Sequence, residues 1–424
     1  VAAVRVHGTI RVPGDKSISH RALLLAALGD GPSRVTGILD SADVRSTAGV
    51  LRAMGVAVPA LGPDLVVEGR GGRGLVAPTE PLDCGNSGTT TRLTAGIVAA
   101  QPFAARFVGD ASLSRRPMAR VARPLEAMGA TVRYDGEAGR LPMIVQGGAL
   151  RDLDWTSETS SAQVKSAIVL AGVASGVEVT VREPHRSRDH TERMLAARGV
   201  EVWVHDRAVH VPAGSRVGAL DTAVPGDPSS AAFFAALGAL AGGGELRLPD
   251  VCLNPTRTGF FFALARMGAR LTVDDERREG GEDVGTVVVE AGHALRGTTV
   301  EGDEVPSMID ELPLLACVAA CAEGETVVRG ASELRVKESD RITAVVTALR
   351  AVGAEAEELP DGFVVRGTGP RAFRGAVATH ADHRLAMAFG VLGALPGSDV
   401  AVDDPACVDV SFPGFWDALA GATA

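Results

Sequence analysis

The chain has 424 residues, a formal net charge of −10, and 46% hydrophobic but only 4% aromatic residues. That length exceeds one ordinary core, so two domains are expected, packed on Ala, Val and Leu. The acidic balance excludes nucleic acid and anionic membranes as main partners. No apolar run reaches the ~18–20 residues that span a bilayer, and the five scattered cysteines, without a C-x-x-C pair, read as core thiols of a cytoplasmic protein.

In chain order, one pattern recurs six times. Ala-rich helices are predicted to begin near Asp15, Asn86, Ser160, Asp227, Asp310 and Asp382; Asp, Asn and Ser accept hydrogen bonds from the free N–H groups of a first turn. About 40 residues after each start, a second helix ends at a glycine suited to the left-handed position past a helix: Gly55, Gly129, Gly199, Gly268, Gly353 and Gly421. Strand-like runs lie between the two helices, at Arg34–Leu39, Ala105–Val108, Val177–Val181, Glu245–Leu248, Thr326–Arg329 and Asp399–Val402. Most second helices are followed by two more such runs, as at Val200–Val204 and Ala208–Val211. The unit is therefore β-α-β-α-β-β at roughly 70 residues, longer than solenoid repeats of 20–45. Three units per globular domain fit the length, with the division near Pro225–Gly226.

Common nucleotide and metal motifs are missing or out of context. Gly69, Gly71 and Gly74 satisfy G-x-G-x-x-G, but Leu75–Pro81 then holds two prolines where a dinucleotide site needs a helix. There is no P-loop, Gly85–Gly88 (G-N-S-G) is not a nucleophile elbow, and His380 and His383 lack the companions of a metal site.

Only Lys16, Lys165 and Lys337 of the 42 basic residues are lysine; the other 39 are arginine. In so biased a chain, a surviving lysine marks a place where a compact ammonium serves and a planar, always-charged fork does not. Asp15–Arg21 puts Lys16 and Arg21 in the first turns of a helix, an end that already carries partial positive charge, so an anionic ligand is expected there. Ser17 and Arg21 are four apart and share a face. Ser114-Arg115-Arg116-Pro117 precedes the second helix of unit two, with Pro117 expected at its first position. Arg335–Arg341, with Lys337 and Arg341 expected on one helix face, and Asp382-His383-Arg384 repeat the pattern in units five and six. Asn86–Thr90 and Ser160–Lys165 add neutral polar helix starts. Such clusters suit ligands carrying several carboxylates and phosphates, with Asp310 and Glu338 poised for proton transfer. A role as a helix cap would account for Asp310 equally well.

At these residues the chain closely resembles the EPSP synthase (3-phosphoshikimate 1-carboxyvinyltransferase) family. The matching stretches are Asp15–Arg21 followed by A-L-L-L-A-A-L, Gly85–Thr89, Arg115-Arg116-Pro117, Leu334–Arg341 and Asp382–Met387, in order and across essentially the whole chain. The resemblance implies a mixed α/β (α+β) fold of two similar domains, each of three βαβαββ units, with helix N-termini facing an interdomain cleft. The first strand would pack with the C-terminal half, giving domains of 14–226 and of 1–13 with 227–424. It implies transfer of the enolpyruvyl group of phosphoenolpyruvate to the 5-hydroxyl of shikimate 3-phosphate, releasing phosphate, without metal or organic cofactor.

Carried over by position, Lys16, Ser17, Arg21, Ser161, Ala162, Gln163, Ser187, Asp310 and Lys337 would hold shikimate 3-phosphate. Lys16, Gly88, Arg116, Gln163, Arg341 and Arg384 would hold phosphoenolpyruvate. Asp310 would be the base at the 5-hydroxyl, and Glu338 or Lys16 would handle the methylene proton; Asn86, Lys165 and His383 are further candidates. Many members carry a lysine near the C-terminus where this chain has Val410, and Lys165 is a candidate to compensate.

Competing readings are the sister transferase acting on UDP-N-acetylglucosamine, a relative of RNA 3′-phosphate cyclases, and a non-catalytic repeat scaffold for anionic metabolites. The expected partners are small anionic substrates bound by a monomer, with no nucleic acid and no membrane. Cations from both halves would hold an empty cleft open, and anionic ligands would favour domain closure.

Overall fold

The computed structural model describes residues 4–423. Its fold is mixed α/β, built on six helices that open the repeats: α1 (Lys16–Leu28), α2 (Gly88–Ala99), α3 (Ala162–Ser175), α4 (Pro228–Leu240), α5 (Leu312–Cys321) and α6 (His383–Gly393). They are buried on nearly all faces, polar first turns included; α4 is buried from Pro228 to Ala239.

Three of the expected caps form. Asp15, Asp227 and Asp382 accept from the N–H groups of Ile18, Ser229 and Arg384 at 2.7, 2.8 and 3.0 Å. At the other three the sequence expectation is corrected. Ser87 and Ser161, each one residue later, cap α2 and α3, and α5 has Glu311 at its N-cap with no side-chain bond. The reason lies in the cations: Asn86 and Asp310 accept from arginine and lysine donors instead.

Gly55, Gly129, Gly199, Gly268 and Gly353 adopt φ of 83°, 114°, 81°, 112° and 86°, the left-handed turn that ends a helix without a Cβ penalty. Gly421 does not, because it lies inside the helix Phe415–Ala422. Pro117 is likewise displaced from its expected place: the helix it precedes starts at Ala119, with Met118 as N-cap.

Among the described residues the strands form six sheets, one per repeat. Four have four strands in the order first, second, fourth, third. In the second repeat, Leu82–Asp83 pairs parallel with Ala104–Val108, which pairs antiparallel with Met143–Gln146, and that with Thr131–Tyr134. This is a helical crossover followed by a hairpin, repeated. The first repeat keeps one strand of the hairpin, Asp64–Glu68, and the sixth has only the parallel pair Arg374–Val377 with Asp399–Val402.

Two first strands come from far along the chain. Thr222–Ala223 completes the first repeat beside Val35–Thr36, and Arg5–Val6 completes the fourth beside Gly243–Gly244. By contact the chain divides into two units: Gly14–Val224 with Arg278–Glu282, and Val1–Pro13 with Pro225–Arg277 and Asp283–Ala424. No helix among the described residues is long and apolar enough to cross a membrane. The G-x-G-x-x-G stretch follows the strand Asp64–Glu68 without opening a helix.

Candidate active site

In the unit built on Gly14–Val224, the polar residues gather at the N-terminal ends of α1, α2 and α3. Lys16, the first residue of α1, pairs with Asp43 at 3.1 Å. Arg21 is buried one turn further on. Its Nε donates to Thr191 Oγ1 at 2.7 Å, and its two terminal nitrogens donate to the Ser17 carbonyl and Ser166 Oγ at 3.0 and 2.9 Å. Burial pulls its pKa down to about 10, against Glu192 and Asp15, so it stays charged at neutral pH.

At α2, Asn86 Oδ1 accepts from Arg116, while Asn86 Nδ2 donates to Asp110 at 2.6 Å. Gly88 sits where a Cβ would come within 2.8 Å of one nitrogen of Arg92 and 3.6 Å of one of Arg116. Its missing side chain lets two guanidinium groups approach the helix start. Gln163 on α3 accepts from Arg92 and donates to Thr89 Oγ1 at 2.9 Å. Ser161 caps α3 and Ala162 is its first residue. Ser187 lies in the segment after the strand Val179–Arg182, and its hydroxyl lies 2.8 and 2.7 Å from the two oxygens of Glu183. Lys165, a candidate phosphoenolpyruvate contact, is drawn between the buried carboxylates of Glu183 and Glu192, 2.9 Å from each.

His20, on α1 between Lys16 and Arg21, is wholly buried, with Nδ1 2.7 Å from Thr47 Oγ1. Thr47 continues to Thr90, and Thr90 to the Ser87 cap, in steps of 2.7 Å. Burial holds the His20 pKa down at about 3. A folded-state value below the unfolded one means that the unfolded chain takes up the proton first. The stability from keeping His20 neutral is complete above the unfolded value of about 6.5 and is lost as pH falls toward 3. Unfolding free energy should therefore fall by roughly 1.4 kcal/mol per pH unit from this residue alone across that window. Urea melts between pH 7 and 4 check this: His20→Asn should flatten the acid limb, and an unchanged slope would assign it to other groups.

In the second unit, one guanidinium organises the cluster. Arg341, the first residue of the helix Arg341–Ala351, is about 1% exposed. Its Nε and one terminal nitrogen donate to Asp382 at 2.8 and 3.2 Å. That same nitrogen reaches Glu338 at 2.8 Å, and the other reaches Asp310 at 3.1 Å. Burial works against its charge, but Asp382, Glu338 and Asp310 outweigh it and raise its pKa. Lys337 donates to the same Asp310 oxygen at 3.2 Å.

The expectation that Lys337 and Arg341 share a helix face is corrected. Lys337 follows a 3₁₀ turn, Ser332–Val336, and the α-helix begins only at Arg341. The two cations converge on Asp310 by another route, with Asp340 capping the helix between them through Thr343 N. Arg384 and His383 open α6, both buried, and Arg384 lies 3.8 Å from Glu311. Arg335 is held by Asp340 and Glu358, partly exposed to solvent. Near the C-terminus Val410 closes a 3₁₀ turn, and Phe412 beyond it packs against Phe234 and Phe415.

Sequence reasoning passed over Asp43, Arg92, Glu183 and Glu192. Arg92 carried a legible signal, a lone arginine within the apolar helix Gly88–Ala99. The acidic residues carried none, because each acts through a partner distant in sequence.

A folded scaffold that gathers so many cations around a few carboxylates is that of an enzyme for small anionic substrates. Similarity to known proteins narrows the class. The family model for EPSP synthase (3-phosphoshikimate 1-carboxyvinyltransferase) matches residues 2–419. A 3-phosphoshikimate 1-carboxyvinyltransferase from Sulfurihydrogenibium sp. is 46% identical over 98% of this chain and 97% of its own, and one from Xanthomonas euvesicatoria is 47% identical over 98% and 94%. The solved structure of EPSP synthase from Acinetobacter baumannii superposes with a TM-score of 0.89 at 40% identity, covering 100% of this chain and 97% of that one. The chain belongs to the EPSP synthase family.

Proposed function

We infer that the protein is an enolpyruvyl transferase, moving the enolpyruvyl group of phosphoenolpyruvate to the 5-hydroxyl of shikimate 3-phosphate with release of phosphate in the shikimate pathway. Family membership over nearly the full length carries this reading, and neither the UDP-N-acetylglucosamine transferase nor a binding scaffold is favoured by it. The site assignments are our own proposal.

The reaction adds a proton to the methylene carbon of phosphoenolpyruvate while the hydroxyl oxygen bonds to the neighbouring carbon. The tetrahedral adduct then gives up that proton and its phosphate. Asp310 serves as the base that takes the hydroxyl proton. Lys337 and Arg341 hold its Oδ1 at 3.2 and 3.1 Å. Glu338 shares Arg341 with Asp310, so one guanidinium fixes both carboxylates, and Glu338 or Lys16 handles the methylene proton.

Among the described residues Arg341 directs four of its five N–H groups at carboxylates. It retains one for phosphoenolpyruvate, and Arg384 and Arg116 bind the rest of its charge with Gly88, Gln163 and Lys16. Shikimate 3-phosphate is held by Lys16, Ser17, Arg21, Ser161, Ala162, Gln163, Ser187, Asp310 and Lys337. Asn86 orients Arg116, and His383 lies beside Arg384. All proposed ligands belong to one chain, so a single copy suffices for activity. Five buried free thiols fit a cytoplasmic location.

The test mixes purified protein with both substrates and follows phosphate release and product mass. Phosphate released with the matching enolpyruvyl ether supports the reading; tight binding of both ligands without product would return it to a scaffold. Lys16→Arg separates charge from proton transfer. Ligand binding should stay measurable by calorimetry while turnover falls by about 10²-fold or more, and near-normal turnover would remove Lys16 from proton handling.

A further inference from the structure

Glu183 follows the strand Val179–Arg182 and has a side chain only 3% exposed. A carboxylate rarely sits so deep unless it is paired and hydrogen-bonded. Its Oε1 accepts from the backbone N–H of Ser161 at 2.8 Å, and the Ser187 hydroxyl lies 2.8 and 2.7 Å from Oε1 and Oε2. Lys165 Nζ lies 2.9 Å from Oε2 and, on its other side, 2.9 Å from Glu192. One side chain therefore ties together the start of α3 and the segment carrying Ser187.

We propose that Glu183 is a positioning residue for shikimate 3-phosphate, fixing Ser161 and Ser187 in place while Lys165 bridges it to Glu192. The inference rests on the functional reading above, in which both serines touch that substrate. The counter-charge is what makes a carboxylate tolerable beside an anion site. Lys165 at 2.9 Å offsets one of the two carboxylate charges and Arg21, attracted by Glu192, offsets the other, so the incoming phosphate meets the hydroxyl of the anchored Ser161 rather than a bare negative charge. Burial opposes the charge of Lys165, but Glu192 and Glu183 outweigh it and raise its pKa. The ammonium therefore persists as a fixed ion in the interior. A compact point charge fits between two close carboxylates where a broad planar fork does not. That gives the third lysine of the chain a reason to remain lysine, on the shikimate 3-phosphate side of the reaction and not as a contact for phosphoenolpyruvate.

Steady-state kinetics with each substrate varied in turn tests this. Glu183→Ala should raise KM for shikimate 3-phosphate about tenfold or more, with kcat and KM for phosphoenolpyruvate within about twofold of wild type. Glu183→Asp keeps the charge beside Lys165 but shortens the reach by one methylene. It should fold with a near-native Tm and show a smaller rise with the same split, which keeps the test open if the alanine variant does not fold. Equal rises in both KM values, a loss confined to kcat, tighter shikimate 3-phosphate binding, or no change in either variant would each overturn the inference. Wild-type protein that fails to bind shikimate 3-phosphate would overturn the functional reading along with it. Wild-type binding with unaffected variants would overturn the positioning role alone.

Discussion

Asp310→Asn should lower kcat by about 10²–10⁴-fold, the usual contribution of a positioned general base, while both substrates still bind. The amide keeps the shape of the carboxylate and its Oδ1 can still accept from Lys337 and Arg341, so the geometry around it survives. What it cannot do is take the proton of the 5-hydroxyl. Removing a negative charge next to two anionic ligands should leave affinity equal or improved. Single-turnover measurements with both ligands saturating separate the two effects. Turnover near the wild-type level would mean that Asp310 is structural and that the base lies elsewhere. A purely structural role for Asp310 predicts that harmless result. The bonds Asp310 makes favour the catalytic one.

Arg341→Met should be the most destabilising single change in the site, by about 3–5 kcal/mol, the cost of removing one partner from a buried ion pair. Asp382 is buried and Asp310 and Glu338 are only partly exposed, and all three depend on this guanidinium. Deleting it leaves their charges facing one another. Calorimetry should show Tm lowered by about 10 °C, given about 2–4 °C per kcal/mol for a unit of this size. Arg341→Lys keeps a positive charge but cannot bridge three carboxylates at once, so it should recover part of the stability and little of the activity. If the methionine variant melted like wild type, the three acids would have to be carried by other partners.

Much of this arrangement is legible in the sequence because it depends on local chemistry. The helix caps, the left-handed glycines and the six-fold spacing of Ala-rich helices are properties of neighbouring residues, and they locate the fold within a residue or two. Two of the misplaced caps share one physical cause. Asn86 and Asp310 look like caps, yet they accept from Arg116 and from Lys337 and Arg341, which lie 27 to 31 positions away along the chain. Local pattern cannot see a competitor for the same lone pair. Lys337 and Arg341 read as one face of a helix because they are four apart, but the segment from Lys337 to Asp340 is not helical and the helix starts only at Arg341. Glu183 and Glu192 gave no signal at all, because in sequence they are ordinary acids. Only the pairing with Lys165 across α3 shows why they are buried.

The first strands of the first and fourth repeats bear on how the chain acquires its shape during synthesis. Residues 14 to 223 contain every strand of their own three sheets, since Thr222–Ala223 returns to Pro32–Thr36. A ribosome that has released this stretch has released every strand of those sheets, though Glu282 is still to come as the buried partner of His190. Arg5–Val6 is made before its partner and pairs only when Gly243–Gly244 emerges. Until then it is an unpaired edge held in waiting, and the fourth-repeat sheet is finished by a strand from far earlier in the chain. Cutting the protein at its middle would therefore not yield two equal pieces: the N-terminal fragment would carry a spare strand, and the C-terminal fragment would lack one.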